Sequence, residues 1–182
     1  LGFILGDART EILFIPPRIR GFAYVEMVRE LRSGLPHLWH VVCCGGEDDL
    51  TEDVLRFEDV MESGGAGLAD IAPVDPDDTK VVLYTSGTTG NPKAVRHSHN
   101  TLAKAMDNGV IAWGLDEREM MLMPSPVTHV TGYVNGIELP FFTNTKVLLM
   151  ESWVVSRAVE LIETHHATTC VSATPFLREL VD

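Results

Sequence analysis

The sequence predicts an α/β fold of three layers, a mostly parallel sheet with helices on both faces. Three observations carry this expectation. Short apolar runs bounded by turn residues recur near 11–15, 39–44, 80–84, 120–123, 146–150 and 168–172, at strand length. Between several of them, apolar residues return every three or four positions, as on one face of a helix. The two kinds of segment alternate, an order that favours parallel pairing through right-handed crossovers.

Taken in order, Leu1-Gly2-Phe3-Ile4-Leu5 reads as the end of an element already under way. Glu11 to Ile15 is a short strand closed by Pro16-Pro17. From Phe22 to Leu31, apolar residues at 22, 24, 25, 27, 28 and 31 predict a helix, ended by Ser33-Gly34. Trp39 to Cys44 is the next strand, stopped by Gly45-Gly46, and both Cys43 and Cys44 are expected to be buried. One short helix is expected from Thr51 to Met61, followed by linker sequence at Ser63–Gly67 and Pro73–Pro76. Leu102, Ala105, Met106, Gly109 and Trp113 repeat at helical spacing, with Ser98 or Asn100 as the expected cap. Met120–Met123 reads as a buried strand ended by Pro124. After the strand at 146–150, Ser152 is the expected cap of a helix carrying Val154, Val155, Ala158, Leu161 and Ile162. Thr174-Pro175 opens a last helix in which Pro175 suits the first turn.

Composition narrows the function classes. The 182 residues are 45% hydrophobic and 7% aromatic, ordinary for an α/β domain. A net charge of −12 argues against a nucleic-acid surface. It is concentrated between Glu47 and Asp78, where twelve acids face one base, Arg56, which reads as a solvated connector. No apolar run reaches the roughly eighteen residues of a membrane helix, and no signal peptide opens the chain. Three cysteines, an odd number without framework spacing, fit a reducing compartment such as the cytoplasm. His97 with His99, and His165 with His166, lack a third ligand at metal-binding spacing, so no metal site is expected from them.

The chemistry concentrates in Tyr84–His99, YTSGTTGNPKAVRHSH. As the strand at 80–84 ends, Thr85, Ser86, Gly87, Thr88, Thr89 and Gly90 follow without a break, then Asn91, Pro92 and Lys93. Glycines let backbone approach a ligand closely, while successive N–H groups and hydroxyls can surround phosphate oxygens. Lys93 adds a mobile positive charge. The segment reads as a polyphosphate-holding loop, and it is expected to feed a helix whose N-terminus adds its dipole to the site. It is not the G-x-x-x-x-G-K-[ST] loop, because Asn91 follows Gly90 and Ala94 follows Lys93.

This string resembles the signature of the adenylate-forming superfamily, which includes acyl-CoA synthetases, luciferases and peptide-synthetase adenylation domains. Ala94 departs from it, standing where members usually carry glycine. A second phrase, Pro126-Val127-Thr128-His129-Val130-Thr131-Gly132-Tyr133, resembles the superfamily's P-x-x-H-x-x-G-like motif, which follows the loop by about thirty-five residues. The resemblance implies that Thr85, Ser86, Gly87, Thr88, Thr89, Gly90 and Lys93 hold nucleotide phosphates. It further implies that His129 lies between acid and nucleotide, and that His129, Gly132 and Tyr133 begin the acyl-pocket wall, with Lys93 and His129 catalytic. Phrases around Pro16–Phe22 and Arg29–Arg32 look most like acid–CoA ligases.

By that resemblance the expected activity is ATP- and Mg²⁺-dependent adenylation of a carboxylic acid and acyl transfer to coenzyme A. Two alternatives stay open: an acyl-AMP ligase loading a carrier protein, and a non-catalytic nucleotide-binding domain. No match occurs to the superfamily's Tyr-Gly-x-Thr-Glu, Thr-Gly-Asp, hinge or C-terminal lysine motifs. With no initial methionine and a last helix stopping at Asp182, the expectation is part of a large N-terminal AMP-binding domain, without the C-terminal domain and inactive alone. Within it, 1–46 is a strand–helix–strand unit, 47–79 the acidic connector and 80–182 the phosphate-loop and acyl-pocket portion. Fatty, alicyclic and aromatic acids all remain open, and no feature sets an oligomeric state.

Overall fold

The computed structural model describes residues 1–46, 50–64, 72–86 and 90–182. They form two compact units, Leu1–Val74 with Tyr84–Ala94, and Asp75–Leu83 with Val95–Asp182. Both are built from parallel strands and helices, the expected α/β arrangement.

The first unit opens with α1 (Gly2–Asp7) and β1 (Ile12–Ile15). Next come the two-residue strands β2 (Arg18–Ile19) and β3 (Phe22–Ala23), which pair antiparallel. Arg20 and Gly21 join them with positive φ at both positions, 50° and 83°, as a tight two-residue hairpin loop requires. That hairpin takes Phe22 and Ala23 out of the expected helix, so α2 (Tyr24–Leu31) begins two residues later. β4 (His40–Cys43) then runs parallel to β1, with Ile12 opposite His40 and Ile15 opposite Cys43. The strand–helix–strand order read from the sequence thus gives the expected parallel pair. β5 (Leu55–Arg56) adds to the far side of β4, again parallel. Its pairing removes the first turns of the helix expected from Thr51, and α3 spans only Phe57–Glu62. Leu5, Ile15, Val28, Leu35, Leu38 and Val41 form the core, each nearly closed to solvent. At about 25 cal/mol per Å² of apolar surface buried, this cluster is the unit's main source of stability.

β6 (Thr79–Thr85) and β7 (Lys93–Ser98) pair as a two-stranded sheet on either side of the glycine-rich loop. The loop therefore leads into a strand and not directly into a helix, which corrects the dipole expectation. Residues 93–98 pair with β6 in extended conformation, so the helical register starts only after them. α4 (His99–Trp113) follows, its first turn capped by Ser98, whose Oγ accepts from the Thr101 N–H at 3.2 Å. Gly114 ends it at φ 64°, the left-handed conformation that glycine adopts without strain.

The second unit centres on β8 (Met120–Met123). Met121, Leu122 and Met123 are fully buried, as the apolar run predicts for a middle strand with both faces covered. After it come α5 (Val130–Tyr133), a π-helical segment Val134–Glu138 and α6 (Leu139–Thr143), then β9 (Lys146–Leu149). α7 (Val155–His165), β10 (Thr169–Cys170) and α8 (Thr174–Val181) complete the unit. The sheet order is β10-β8-β9, all parallel. Ser152 does not cap α7: Val154 occupies the cap position without a side-chain hydrogen bond. Pro175 does sit in the first turn of α8. No described helix is long and apolar enough to cross a membrane.

Cys44 departs from expectation. Cys43 is buried as the last residue of β4, but Cys44 is exposed where the strand stops and the chain turns through Gly45 and Gly46 at φ 80° and 89°. Burial also pushes the Cys43 thiol up, with smaller contributions from Cys44 and Glu58. A thiol reagent at neutral pH should therefore label Cys44 first and Cys43 last. Peptide mapping after a short pulse checks this, and Cys44→Ser should remove the fast phase.

Candidate functional site

The glycine-rich loop leaves β6 at Thr85. The Thr85 Oγ1 lies 3.4 Å from the Lys93 carbonyl oxygen across the base of the loop, a long hydrogen bond at most. Just before it, the Tyr84 hydroxyl donates to the Asp7 carboxylate at 2.7 Å, tying the end of β6 to α1. Ser86, Gly90 and Lys93 are exposed, and Gly90 has φ 118° with open space where a Cβ would sit. The structure thus places Thr85, Ser86, Gly90 and Lys93 around one loop. Gly87, Thr88 and Thr89 lie outside the described residues.

The second sequence motif occupies the turn between β8 and α5. His129 caps α5: its backbone is extended, and its Nδ1 accepts from the Thr131 N–H at 3.2 Å. Accepting at Nδ1 assigns the proton of the neutral ring to Nε2, which is left as a donor. The His129 N–H donates to the Pro126 carbonyl at 3.0 Å, and the Tyr133 N–H donates to the His129 carbonyl at 2.9 Å. Both ends of the His129 backbone are therefore held.

Gly132 explains why this turn tolerates no side chain at that position. A Cβ on it would lie 2.1 Å from the Pro126 carbonyl oxygen and 2.6 Å from that of Ser125. Both obstacles are backbone, so no rotamer change relieves them. Gly136 is less confined: a would-be Cβ lies 3.1 Å from the Met123 and Leu149 side chains, which can give by a few tenths of an ångström.

Sequence reading did not find the residues that surround Tyr133. The Tyr133 hydroxyl donates to Glu138 Oε1, and Lys80 Nζ donates to Glu138 Oε2 at 2.6 Å. Burial would raise the Glu138 carboxyl. Hydrogen bonds from Lys80 and Tyr133, with the charges of Lys80 and His99, outweigh that, so it sits below the usual carboxylate range. Burial, then the Glu138 contact, pushes the Tyr133 hydroxyl up to about 12, which keeps it un-ionised at neutral pH. A cleft of about 250 Å³ opens between α4 and the α5–π segment, lined by Met106, Trp113, Val130 and Val134 among others; Tyr133, Glu138 and His129 do not line it.

Both units are thus α/β, one carrying a loop with Ser86, Gly90 and Lys93 exposed and the other a strand-to-helix His–Gly turn. The chain belongs to the AMP-binding enzyme family, whose model matches residues 1–182. It is 26% identical over 184 aligned positions to the medium-chain fatty-acid–CoA ligase of Escherichia coli K12, covering 100% of this chain and 32% of that enzyme. With the acetyl-coenzyme A synthetase of Bacillus subtilis 168 it shares 30% identity over 125 residues, 65% of this chain and 22% of that one. A long-chain-fatty-acid–CoA ligase from Archaeoglobus fulgidus superposes with TM-score 0.80 at 25% identity, over 99% of this chain and 33% of that chain. The anthranilate CoA ligase AuaEII, solved with anthranoyl-AMP, gives TM-score 0.83 at 22% identity, over 98% and 33%. The chain spans about a third of the length of the E. coli relative.

The Gly132 contact makes a direct prediction. Gly132→Ala must push α5 away from 125–126, and forced overpacking of this kind costs about 3 kcal/mol or more. Urea unfolding should show that loss, whereas a change below about 0.5 kcal/mol would mean the close approach is not present.

Proposed function

We propose that this chain supplies the phosphate loop and the first part of the acid site of an ATP-dependent acid–CoA ligase. The observation that carries the reading is a family match over the whole chain that includes both the 84–99 loop and the His129–Tyr133 turn. In the first step a carboxylate oxygen attacks the α-phosphorus of ATP, and the bond to pyrophosphate breaks. In the second the coenzyme A thiol, losing its proton, attacks the acyl carbon, and the bond to AMP breaks.

In this reading Thr85, Ser86, Gly87, Thr88, Thr89, Gly90 and Lys93 hold the β- and γ-phosphates. Lys93 is exposed and offers its charge to the departing pyrophosphate, where negative charge increases as the bond breaks. His129, with Nδ1 already engaged, offers Nε2–H to the acid carboxylate or the α-phosphate. A donor that engages one carboxylate oxygen leaves the other oriented for attack. The hydroxyls of Thr85 and Ser86 are hard oxygen donors of the kind Mg²⁺ accepts alongside phosphate oxygens and water. Bound there, Mg²⁺ would neutralise phosphate charge.

The chain has no counterpart of the adenine, ribose and C-terminal lysine motifs. The catalytic unit we propose is accordingly larger than these 182 residues, and we place it in the cytoplasm on the cysteine usage. The 182 residues alone should form no acyl-CoA.

The test is acid-dependent exchange of labelled pyrophosphate into ATP by the enzyme containing this chain, across a panel of fatty, alicyclic and aromatic acids. Lys93→Ala should lower exchange about 100-fold, the scale of losing one transition-state donor. His129→Ala should lower it at least tenfold, as expected for a lost orienting group. Exchange with no acid would overturn the reading, leaving nucleotide binding without adenylation.

A further inference from the structure

We propose that Glu138 is a positioning residue for carboxylic-acid recognition, holding the Tyr133 ring in place as a wall of the acid site. The inference rests on the acid–CoA ligase reading above and goes beyond it to a residue that neither sequence motif contains.

The geometry comes from the π-helical segment. In an α-helix, residues five apart point about 140° away from each other and cannot share a partner. Here the Leu139 N–H donates to the Val134 carbonyl, a five-residue bond that widens the turn. Tyr133 and Glu138, five apart, consequently meet through the hydroxyl and Oε1. Pro140 favours the change of register, since it has no N–H to offer the Gly136 carbonyl in α spacing. The Asn135 side chain donates to the Thr131 carbonyl at 2.9 Å, satisfying a backbone acceptor where the register changes.

The second oxygen of Glu138 is held by Lys80 from β6, so the carboxylate cannot rotate away from Tyr133. Its side chain is only 14% exposed, and that of Lys80 29%. A carboxylate this sheltered and held at both oxygens is a rigid anchor, unlike an exposed ion pair.

The consequence is chemical. Tyr133 commits its only proton to Glu138, so it has no donor left for a carboxylate ligand. What it offers is an aromatic ring fixed at one end. His129 is the extended cap of α5 and Tyr133 its last residue, joined by the Tyr133 N–H donating to the His129 carbonyl at 2.9 Å. His129 retains an N–H suited to a carboxylate, while Tyr133 presents a surface suited to the apolar carbons behind it.

The test uses the enzyme containing this chain and separates the KM values for acid and ATP. Tyr133→Phe keeps the ring and removes the tether. Glu138→Leu removes the anchor, and Glu138→Gln keeps an acceptor for the hydroxyl. Tyr133→Phe and Glu138→Leu should each raise the acid KM about tenfold, the scale of one hydrogen bond to a charged group. The KM for ATP should stay within twofold and kcat within threefold. The double variant should be no worse than either single one, because both remove the same contact. Glu138→Gln should recover most of the loss. Equal changes in both KM values, additive single effects, or an acid KM unmoved by Tyr133→Phe would overturn the role. Should Glu138→Leu fail to fold, Tyr133→Phe decides alone. A wild-type enzyme with no acid-dependent exchange overturns the ligase reading and this role together. Exchange with an unmoved acid KM overturns only the role.

Discussion

Where α5 passes the turn after β8, the backbone at Gly132 lies against the carbonyls of Ser125 and Pro126 with room for a hydrogen and nothing larger. Much of the second unit's chemistry depends on that approach. It lets the His129 N–H reach the Pro126 carbonyl and places His129 as the cap of the helix. Further along, Gly136 lies against the side chains of the fully buried Met123 and of Leu149. A larger residue at Gly132 would lift the segment and move His129 and Tyr133 together.

Two kinds of polar construction stand in contrast. Around the loop, Ser86, Gly90 and Lys93 are exposed, and their polar groups are open to solvent. Around Tyr133, the polar groups are already satisfied by one another: ammonium, carboxylate and hydroxyl form a closed set of hydrogen bonds. The first arrangement is available to bind; the second is suited to hold a shape. A partly buried ion pair gives little net stability once desolvation is counted, so orientation is the better account of Lys80–Glu138.

Much of this was legible in the sequence. Apolar runs bounded by Pro and Gly located β1, β4, β8 and β9 within a residue or two, because the signal of a buried strand is local. The parallel β1–β4 pair followed from the strand–helix–strand order. The loop and the His129–Gly132 turn were legible because their residue types and order are unusual. What was missed depended on contacts. The Arg20–Gly21 hairpin needed a non-glycine residue at positive φ, and β5 needed its partner β4 to exist. β7 was hidden because Lys93–Ser98 is too polar to read as a strand. Glu138 was missed because spacing of five matches neither helix nor strand periodicity; only the π-helical register brings it to Tyr133.

The central claim is that the carboxylate itself becomes joined to AMP. Acid labelled with ¹⁸O in both carboxylate oxygens, turned over with ATP and coenzyme A by the enzyme containing this chain, tests it most directly. Attack on the α-phosphorus leaves one labelled oxygen in the released AMP when the thiol displaces it, and mass spectrometry should find one ¹⁸O per AMP. Label in inorganic phosphate with ADP as the other product, or AMP carrying no label, would contradict the account.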